Sequence, residues 1–503
     1  MKRILCLVAA VLCLAAAFLG LGQCVSTASG GEIISIVGGY GGPIRNIIRW
    51  IFPRPVPPEP TPEPTPPDPV PPEPPVPPVP PPPPPQVGLL VLITGDSPRD
   101  VREMTPEGAA VLTSRTVRDW TDKACEPGGF LIAPKNVAAA DARFAPLAQK
   151  AADGRVTLIA KMPGKEPIVL DPVPAYDVVL SKLSEYAGIK ADVKVARPTL
   201  KIPEFSEDQW AKFVGKNGVV EFGGEKRYLS AKPRDLKHRP YGFSLADAGV
   251  RIIPRSEWPA RLAALKAANA GIVPLLYDRL PCSDQGSTNY CWANGPANCG
   301  ATILYITGRG SYLLSAASIA GPITGYRNVG GWPKDAIDFM ARKGAVRDSL
   351  WPNAAINSAY YDRADVQADY PKHLVSSVIA DLGQTGNIFD ETVTCVLLGC
   401  PVATSHDWWG HAVMAVGLDY VDGVWYLIER NSWGMSFGDQ GFFKLREGFG
   451  RNQAGPDDAQ VILWLGRTAQ SVNASASVES VNPDCPSGQC PLNVRQPIFG
   501  RRR

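Results

Sequence analysis

Apolar and polar positions change their pattern several times along this 503-residue chain, and each change marks a boundary. Behind Lys2 and Arg3 runs an uncharged, mostly apolar stretch, ILCLVAAVLCLAAAFLGLG, from Ile4 to Gly22. From Pro53 to Pro85 periodicity disappears, because 22 of those 33 residues are proline. Proline fixes its own φ and lacks an amide donor, so the stretch enters neither helix nor sheet and is expected as an extended polyproline spacer. At about 3.1 Å per residue it would span roughly 100 Å. Beyond it, GLLVLITG (88–95), GGFLIAP and VTLIAKMP predict strands. Thr105-Pro106-Glu107 offers a cap, a proline for the first turn and an acidic start to a helix ending near Cys125. AYDVVLSKLSEYAG predicts an amphipathic helix stopped by Gly188, whereas residues 201–270 are mixed apart from the helical EWPARLAALKAANAG. Further on, the small, apolar run after His411 predicts a buried strand and VWYLIER a second. If the two pair antiparallel, Asn431 lies beside His411.

These boundaries divide the chain into 1–28, an export signal or membrane anchor; 29–52, an unassigned juxtamembrane stretch; and 53–86, the proline-rich linker. A small accessory α/β domain follows at 87–200, a connecting region at 201–254 and a larger domain at 255–466. The tail, 467–503, is rich in Ser, Asn, Val and Gly and is expected to be disordered. A positive start followed by an apolar run reads as export, whether cleaved, retained as an anchor or processed at the lipoprotein-like LGQC of 21–24. Each version places the bulk of the chain outside the cytoplasm, secreted or tethered to a membrane or cell surface.

Charge adds an exclusion. The 51 basic and 48 acidic residues leave a net charge of only +3, without a basic block or aromatic-basic stripe, so nucleic acid is not expected as a partner. No paired CxxC and no HExxH occurs, so neither a metal nor a cofactor is expected. Export permits disulfides. Of 11 cysteines, Cys125, Cys282, Cys291, Cys299, Cys395, Cys400, Cys485 and Cys490 lie beyond the signal. Cys395 with Cys400, and Cys485 with Cys490, could each close a short loop, though sequence alone fixes neither pairing.

Cys291 stands between aromatics in SDQGSTNYCWANGP and can be a nucleophile, half of a disulfide or a small buried hydrophobe. A nucleophilic cysteine must be a thiolate, which calls for a helix N-terminus or an imidazolium beside it, and for donors where an oxyanion will form. Among the four histidines, His238 sits in a basic loop and His373 has no matching partner. His406 reads as a loop residue and Trp408 and Trp409 as wall or core. His411 alone has a partner in prospect, Asn431, with Trp433 close enough to shield their hydrogen bond.

The motifs QGSTNYCW, GHAVMAVG and NSWGMSFGDQGFF resemble the papain-like cysteine peptidases, in that chain order. NVGGWPKDAIDFMARKGAV (328–346) is similar to the same family's glycine pair and the helix after it. The resemblance covers about 255–465 and implies an α+β fold of two lobes, one helical and one β-barrel-like. It further implies an endopeptidase acting on proteins or peptides. Cys291 would be the nucleophile, His411 the general base and acid, and Asn431 the residue orienting the imidazole. Gln285 would donate to the oxyanion together with the Cys291 amide, and Trp292 would pack behind the cysteine. Gly330 and Gly331 would hydrogen-bond substrate backbone, with Trp433 lining the site.

Three positions depart from the family pattern. Thr288 replaces a disulfide-bonded cysteine, so its loop must be held otherwise, through Cys282 for example. Phe437 replaces a tryptophan, and Pro296 falls within the first two turns of the helix that should start at Cys291. No helical propeptide pattern is evident upstream. Segment 88–190 is weakly similar to the thioredoxin fold but lacks CxxC, which points to a structural or docking role rather than redox chemistry. The alternatives are a papain-fold binding or scaffold protein without activity, and an amidase or transpeptidase variant.

Overall fold

The computed structural model describes residues 88–190, 198–215, 217–237, 241–374, 378–384, 387–449 and 456–463. The expected signal, juxtamembrane stretch, proline-rich linker and tail, with Cys485 and Cys490, lie outside the described residues.

The first sheet has the order β2-β1-β3-β4, built from β1 (Leu89–Gly95), β2 (Cys125–Pro134), β3 (Thr157–Lys161) and β4 (Ile168–Leu170). β1 runs parallel to β2 and antiparallel to β3, and β3 pairs with β4 as a hairpin. The helix expected from Thr105 to Cys125 is instead two, α1 (Pro106–Val111) and α2 (Arg115–Ala124). The break follows from Ser114, whose hydroxyl accepts from the Val117 amide at 3.3 Å and starts a new helix. α3 (Lys135–Ala140) lies between β2 and β3. α4 (Tyr176–Ala187) ends at Gly188, whose φ of 68° is cheap only for a residue without Cβ. Buried residues of this domain and of the larger one form one continuous cluster, from Leu89 and Trp120 to Leu276 and Tyr305. Arg118 ties them, donating to the Tyr305 carbonyl at 3.0 Å while its guanidinium lies 5.0 Å from the Phe130 ring and 5.1 Å from that of Tyr305. Asp119 and Arg279 add an ion pair at 2.6 Å.

The connecting region carries α5 (Glu207–Val214) and a hairpin of β5 (Val219–Phe222) and β6 (Glu225–Tyr228). In the larger domain, α6 (Trp258–Ala267) precedes a helical part made of α7 (Cys291–Ile306), α8 (Ala316–Thr324) and α9 (Pro333–Arg342). The second sheet is antiparallel, ordered β11-β10-β9-β8-β12-β7. Its strands are β7 (Val378–Asp381), β8 (Val402–His406), β9 (His411–Val421), β10 (Val424–Arg430), β11 (Phe442–Arg446) and β12 (Asp458–Leu463). β9 and β10 are joined by Asp422-Gly423, both at positive φ, the two-residue turn whose twist suits a hairpin. α10 (Ile388–Leu397) packs on β9 from behind. Helical and β parts thus face each other across α7 and β9.

Candidate active site

α7 begins at Cys291, with Tyr290 as its non-helical cap and the Tyr290 carbonyl accepting from Ala293 and Asn294 amides at 3.0 and 2.9 Å. The thiol therefore sits at the positive end of the helix. The helix runs unbroken to Ile306 through Pro296, which has no amide for the Trp292 carbonyl. Gly295 has a separate reason. A Cβ there would stand 2.9 Å from the Val413 carbonyl oxygen, so only glycine lets α7 approach β9 this closely. That approach places Cys291 beside His411, the first residue of β9.

The antiparallel pairing of β9 and β10 brings Asn431 to His411, as the sequence predicts. Asn431 Oδ1 accepts from His411 Nε2 at 2.8 Å. Trp433 lies over the imidazole with ring centroids 5.1 Å apart, and Trp409 covers another side at 4.5 Å. His411 Nδ1 is buried without a partner at ordinary hydrogen-bond length and is left to the Cys291 thiol. Burial alone would raise that thiol; the His411 charge and hydrogen bond, Ser230 and the Ala412 amide outweigh it and bring the pKa down to about 7. The other buried thiols go the opposite way: burial pushes Cys125 up to about 12 and also raises Cys282, Cys299 and Cys395. Cys291 is thus set apart from them at neutral pH.

Gln285 is buried in front of the helix. Its amide NH₂ donates to the Thr288 carbonyl at 3.1 Å and its Oε1 accepts from Ser432 Oγ at 2.8 Å, which fixes which way it points. Thr288 holds the loop by donating to the Gln285 carbonyl at 2.7 Å. Cys282 plays no part as a disulfide: it is a free thiol donating to the Asn431 carbonyl at 3.0 Å. Cys395 and Cys400 likewise do not form the short-loop disulfide. Phe437 is fully buried against Trp433, with ring centroids 5.2 Å apart, and keeps the apolar wall. A Cβ on Gly331 would fall 2.5 Å from the Trp292 indole, so that glycine sits flush on the aromatic next to Cys291.

The surprise lies in the connecting region, where sequence showed no periodicity. Residues 228–234 run along the site between the helical and β parts. The Tyr228 carbonyl accepts from Gln285 Nε2 at 3.2 Å, and Ser230 Oγ lies 3.6 Å from Cys291 Sγ. Lys232 N–H donates to Gly331 O at 2.9 Å, Ala231 N–H to Gly410 O at 3.0 Å, and Trp332 Nε1 to Pro233 O at 2.9 Å. Ahead of this stretch, Phe205, Trp210 and Val220 pack into Trp409, Trp433, Phe437 and Phe443. The aromatic spacing of SEDQWAKF, with its Ser206 cap, was the available signal.

His406 differs from its expected loop setting. It ends β8 fully buried, opposite His411 in the ladder, and its Nε2 lies 3.0 Å from both oxygens of Glu429. Thr404 Oγ1 donates to the same carboxylate at 2.9 Å. Burial opposes the His406 cation, but the Glu429 charge prevails and raises its pKa. His373 is a packed structural residue bonded to Tyr312 and the Ala345 carbonyl.

Residues 279–461 match the model of the papain family of cysteine proteases. The chain is 26% identical over 203 residues to oryzain gamma chain of Oryza sativa subsp. japonica, covering 35% of this chain and 53% of that protein. A shorter stretch of 39 residues is 54% identical to cathepsin B-like cysteine proteinase 3 of Caenorhabditis elegans, 8% of this chain and 10% of that one. The chain therefore spans about half the length, or less, of these curated relatives. Among solved structures it is similar to xylellain, a cysteine protease from Xylella fastidiosa, at 18% identity and a TM-score of 0.35, covering 48% of this chain and 98% of that one. Residues 279–461, inside the larger domain, thus carry this chain's similarity to the papain family of cysteine proteases.

Proposed function

We propose that this protein is an exported cysteine endopeptidase that hydrolyses peptide bonds at Cys291. The observation that carries the reading is His411, bonded through Nε2 to Asn431 at 2.8 Å and left with Nδ1 for a thiol brought down to about 7. Near neutrality such a pair holds a thiolate and an imidazolium. The thiolate attacks the scissile carbonyl carbon, and the oxyanion is met by Gln285 Nε2 and the Cys291 amide. His411 then delivers its proton to the leaving amine, and as a base draws a proton from the water that releases the acyl group. Asn431 keeps the imidazole in the required tautomer, and Trp433 excludes water from that hydrogen bond. Gly330 and Gly331 offer backbone to the substrate. The apolar start and the proline-rich linker support export and a long tether to a membrane or cell surface.

In this reading the stretch 228–234 keeps the enzyme latent, since it occupies Gln285, Gly331 and the face of Cys291 together. The same occupancy favours a second reading, a papain-fold binding protein whose site is permanently closed. One experiment separates them. After limited proteolysis of the full chain, an epoxide inhibitor should label Cys291 and abolish peptide hydrolysis, and Cys291→Ala should hydrolyse nothing. Hydrolysis that persists in Cys291→Ala, or a cleaved, folded sample that neither cuts peptides nor takes up the label, would end the peptidase reading. The mass of the mature N-terminus tests export.

A further inference from the structure

The site already contains a ligand, supplied by the chain itself. Arg234 closes the covering stretch, and its guanidinium enters between carboxylates from two neighbouring strands. Nη1 lies 2.9 Å from Asp458 Oδ1 and 3.3 Å from Asp381 Oδ1, and Nη2 lies 3.4 Å from Asp381 Oδ2. The side chains of Arg234, Asp381 and Asp458 are 6%, 3% and 1% exposed. The Tyr241 ring stacks over the guanidinium at 4.5 Å.

Two features tie this pocket to the substrate track. Asp458 pairs in the ladder with Ser405, and Ser405 pairs with Ala412, the residue after His411. The carboxylates therefore lie on the same sheet as the histidine, two and three strands across. Two and three residues before Arg234, the backbone of Lys232 and Ala231 is bonded to Gly331 and Gly410. A peptide held by those same backbone groups would deliver a side chain into the same place.

Buried carboxylates side by side are costly unless a cation joins them. Gln460 Nε2 donates to Asp458 Oδ1 at 2.7 Å, while Asp458 Oδ2 is buried without a partner. Asp381 also accepts from the Gly242 amide, and Lys334 comes within 4.0 Å of it but is held at 3.0 Å by Asp338. With Arg234 gone, among the described residues Asp458 has no cation and Asp381 only that distant lysine. We infer that Asp381 and Asp458 form a specificity pocket for a basic substrate side chain, arginine before lysine, within three residues of the scissile bond. The planar fork of arginine can address both carboxylates, whereas an ammonium is a single point of charge. This inference rests on the peptidase reading for its consequence, not for the binding itself.

The full-length Arg234→Gln chain empties the pocket. Agmatine, an arginine side chain lacking the carboxylate, should bind it at least about 20-fold tighter by calorimetry than it binds Arg234→Gln/Asp458→Asn. A positional-scanning peptide library should show arginine preferred over leucine by about tenfold or more at one position, and the preference should vanish in the Asp458→Asn double variant. Agmatine binding indifferent to Asp458, or hydrolysis without basic preference, overturns the pocket. Agmatine binding that depends on Asp458 in a chain that cuts no peptide upholds the pocket and overturns the peptidase reading. Should Arg234→Gln fail to fold, the wild-type chain serves: agmatine must speed alkylation of Cys291 by displacing Arg234, and butylamine must do so less; no acceleration refutes the inference.

Discussion

Gly295→Ala is the most direct probe of how the site is assembled, because it adds one methyl group between the element carrying Cys291 and the element carrying His411. The new Cβ would meet the Val413 carbonyl oxygen at 2.9 Å, where ordinary contact begins near 3.4 Å, so α7 and β9 must part by about 0.5 Å. Alanine in place of glycine favours the helix by about 1 kcal/mol, while overpacking against backbone costs about 1–3 kcal/mol, so stability should fall by up to about 2 kcal/mol. The chemical effect is easier to read. The His411 charge, the His411 hydrogen bond and the Ala412 amide all come from β9, and together with Ser230 they hold the thiol at about 7 against burial. A drop from the ordinary thiol value of about 9 to about 7 corresponds to about 2.7 kcal/mol of net preference for the thiolate. Charge interactions at contact distance fall by roughly a tenth for such a separation, so the midpoint should rise by at least about 0.2 unit. Thiolate absorbance, titrated with the matching Cys291→Ala chain subtracted, isolates this group, because the buried neighbours Cys125, Cys282, Cys299 and Cys395 are all raised. A midpoint identical to that of the wild type, in a protein made more stable by the alanine, would refute the claim that this glycine sets the spacing.

Other outcomes follow from the same geometry. Gln285→Ala should lower kcat by about 10²–10³ while the Cys291 titration stays in place, since an oxyanion donor is lost and the ion pair is kept. Arg234→Ala removes one partner of a buried charge cluster, worth about 3–5 kcal/mol, and should raise the rate of Cys291 alkylation in the full chain by at least about 100-fold, read by mass spectrometry. Glu429→Gln should cost about 3–5 kcal/mol in denaturant unfolding by stranding His406. Because the His406 pKa is raised in the fold, its contribution is fully present below the ordinary histidine value of about 6.5 and is lost as pH rises through the folded value. The wild type should therefore lose stability on that rise, and Glu429→Gln should show a flatter profile. Pro296→Ala should leave the Cys291 midpoint unchanged or lower, since it restores an amide to the Trp292 carbonyl without touching β9.

What was legible in the sequence was whatever leaves a local mark. Two apolar runs, read as antiparallel strands, placed Asn431 beside His411, and the helix start at Cys291 came with the family resemblance. The role of Gly295 was not legible, because the Val413 carbonyl it makes room for belongs to a strand distant in sequence. The double helix at 106–124 was missed because the Ser114 cap sits inside a continuous apolar rhythm. The covering stretch and the acidic pocket were missed for a different reason. Their partners are backbone groups and side chains 57 to 224 residues away, such as Tyr228 with Gln285 and Arg234 with Asp458, and such pairing leaves no periodicity. His406 had its partner in Glu429, but a carboxylate inside a strand reads as an outward-facing residue until the opposite face is known to be covered.

The register of the covering stretch bears on how the proposed latency would end. A peptide bond is cut only when one and the same carbonyl meets both the oxyanion donor and the sulfur. Here Gln285 addresses Tyr228, while the sulfur faces Ser230, two residues on. In the proposed reading the chain is thus held out of step at Cys291 and is a poor substrate in place. If maturation proceeds by cleavage, the cut is made by another molecule. Activity should then emerge after a lag that shortens as protein concentration rises, and a trace of already cleaved enzyme should abolish the lag.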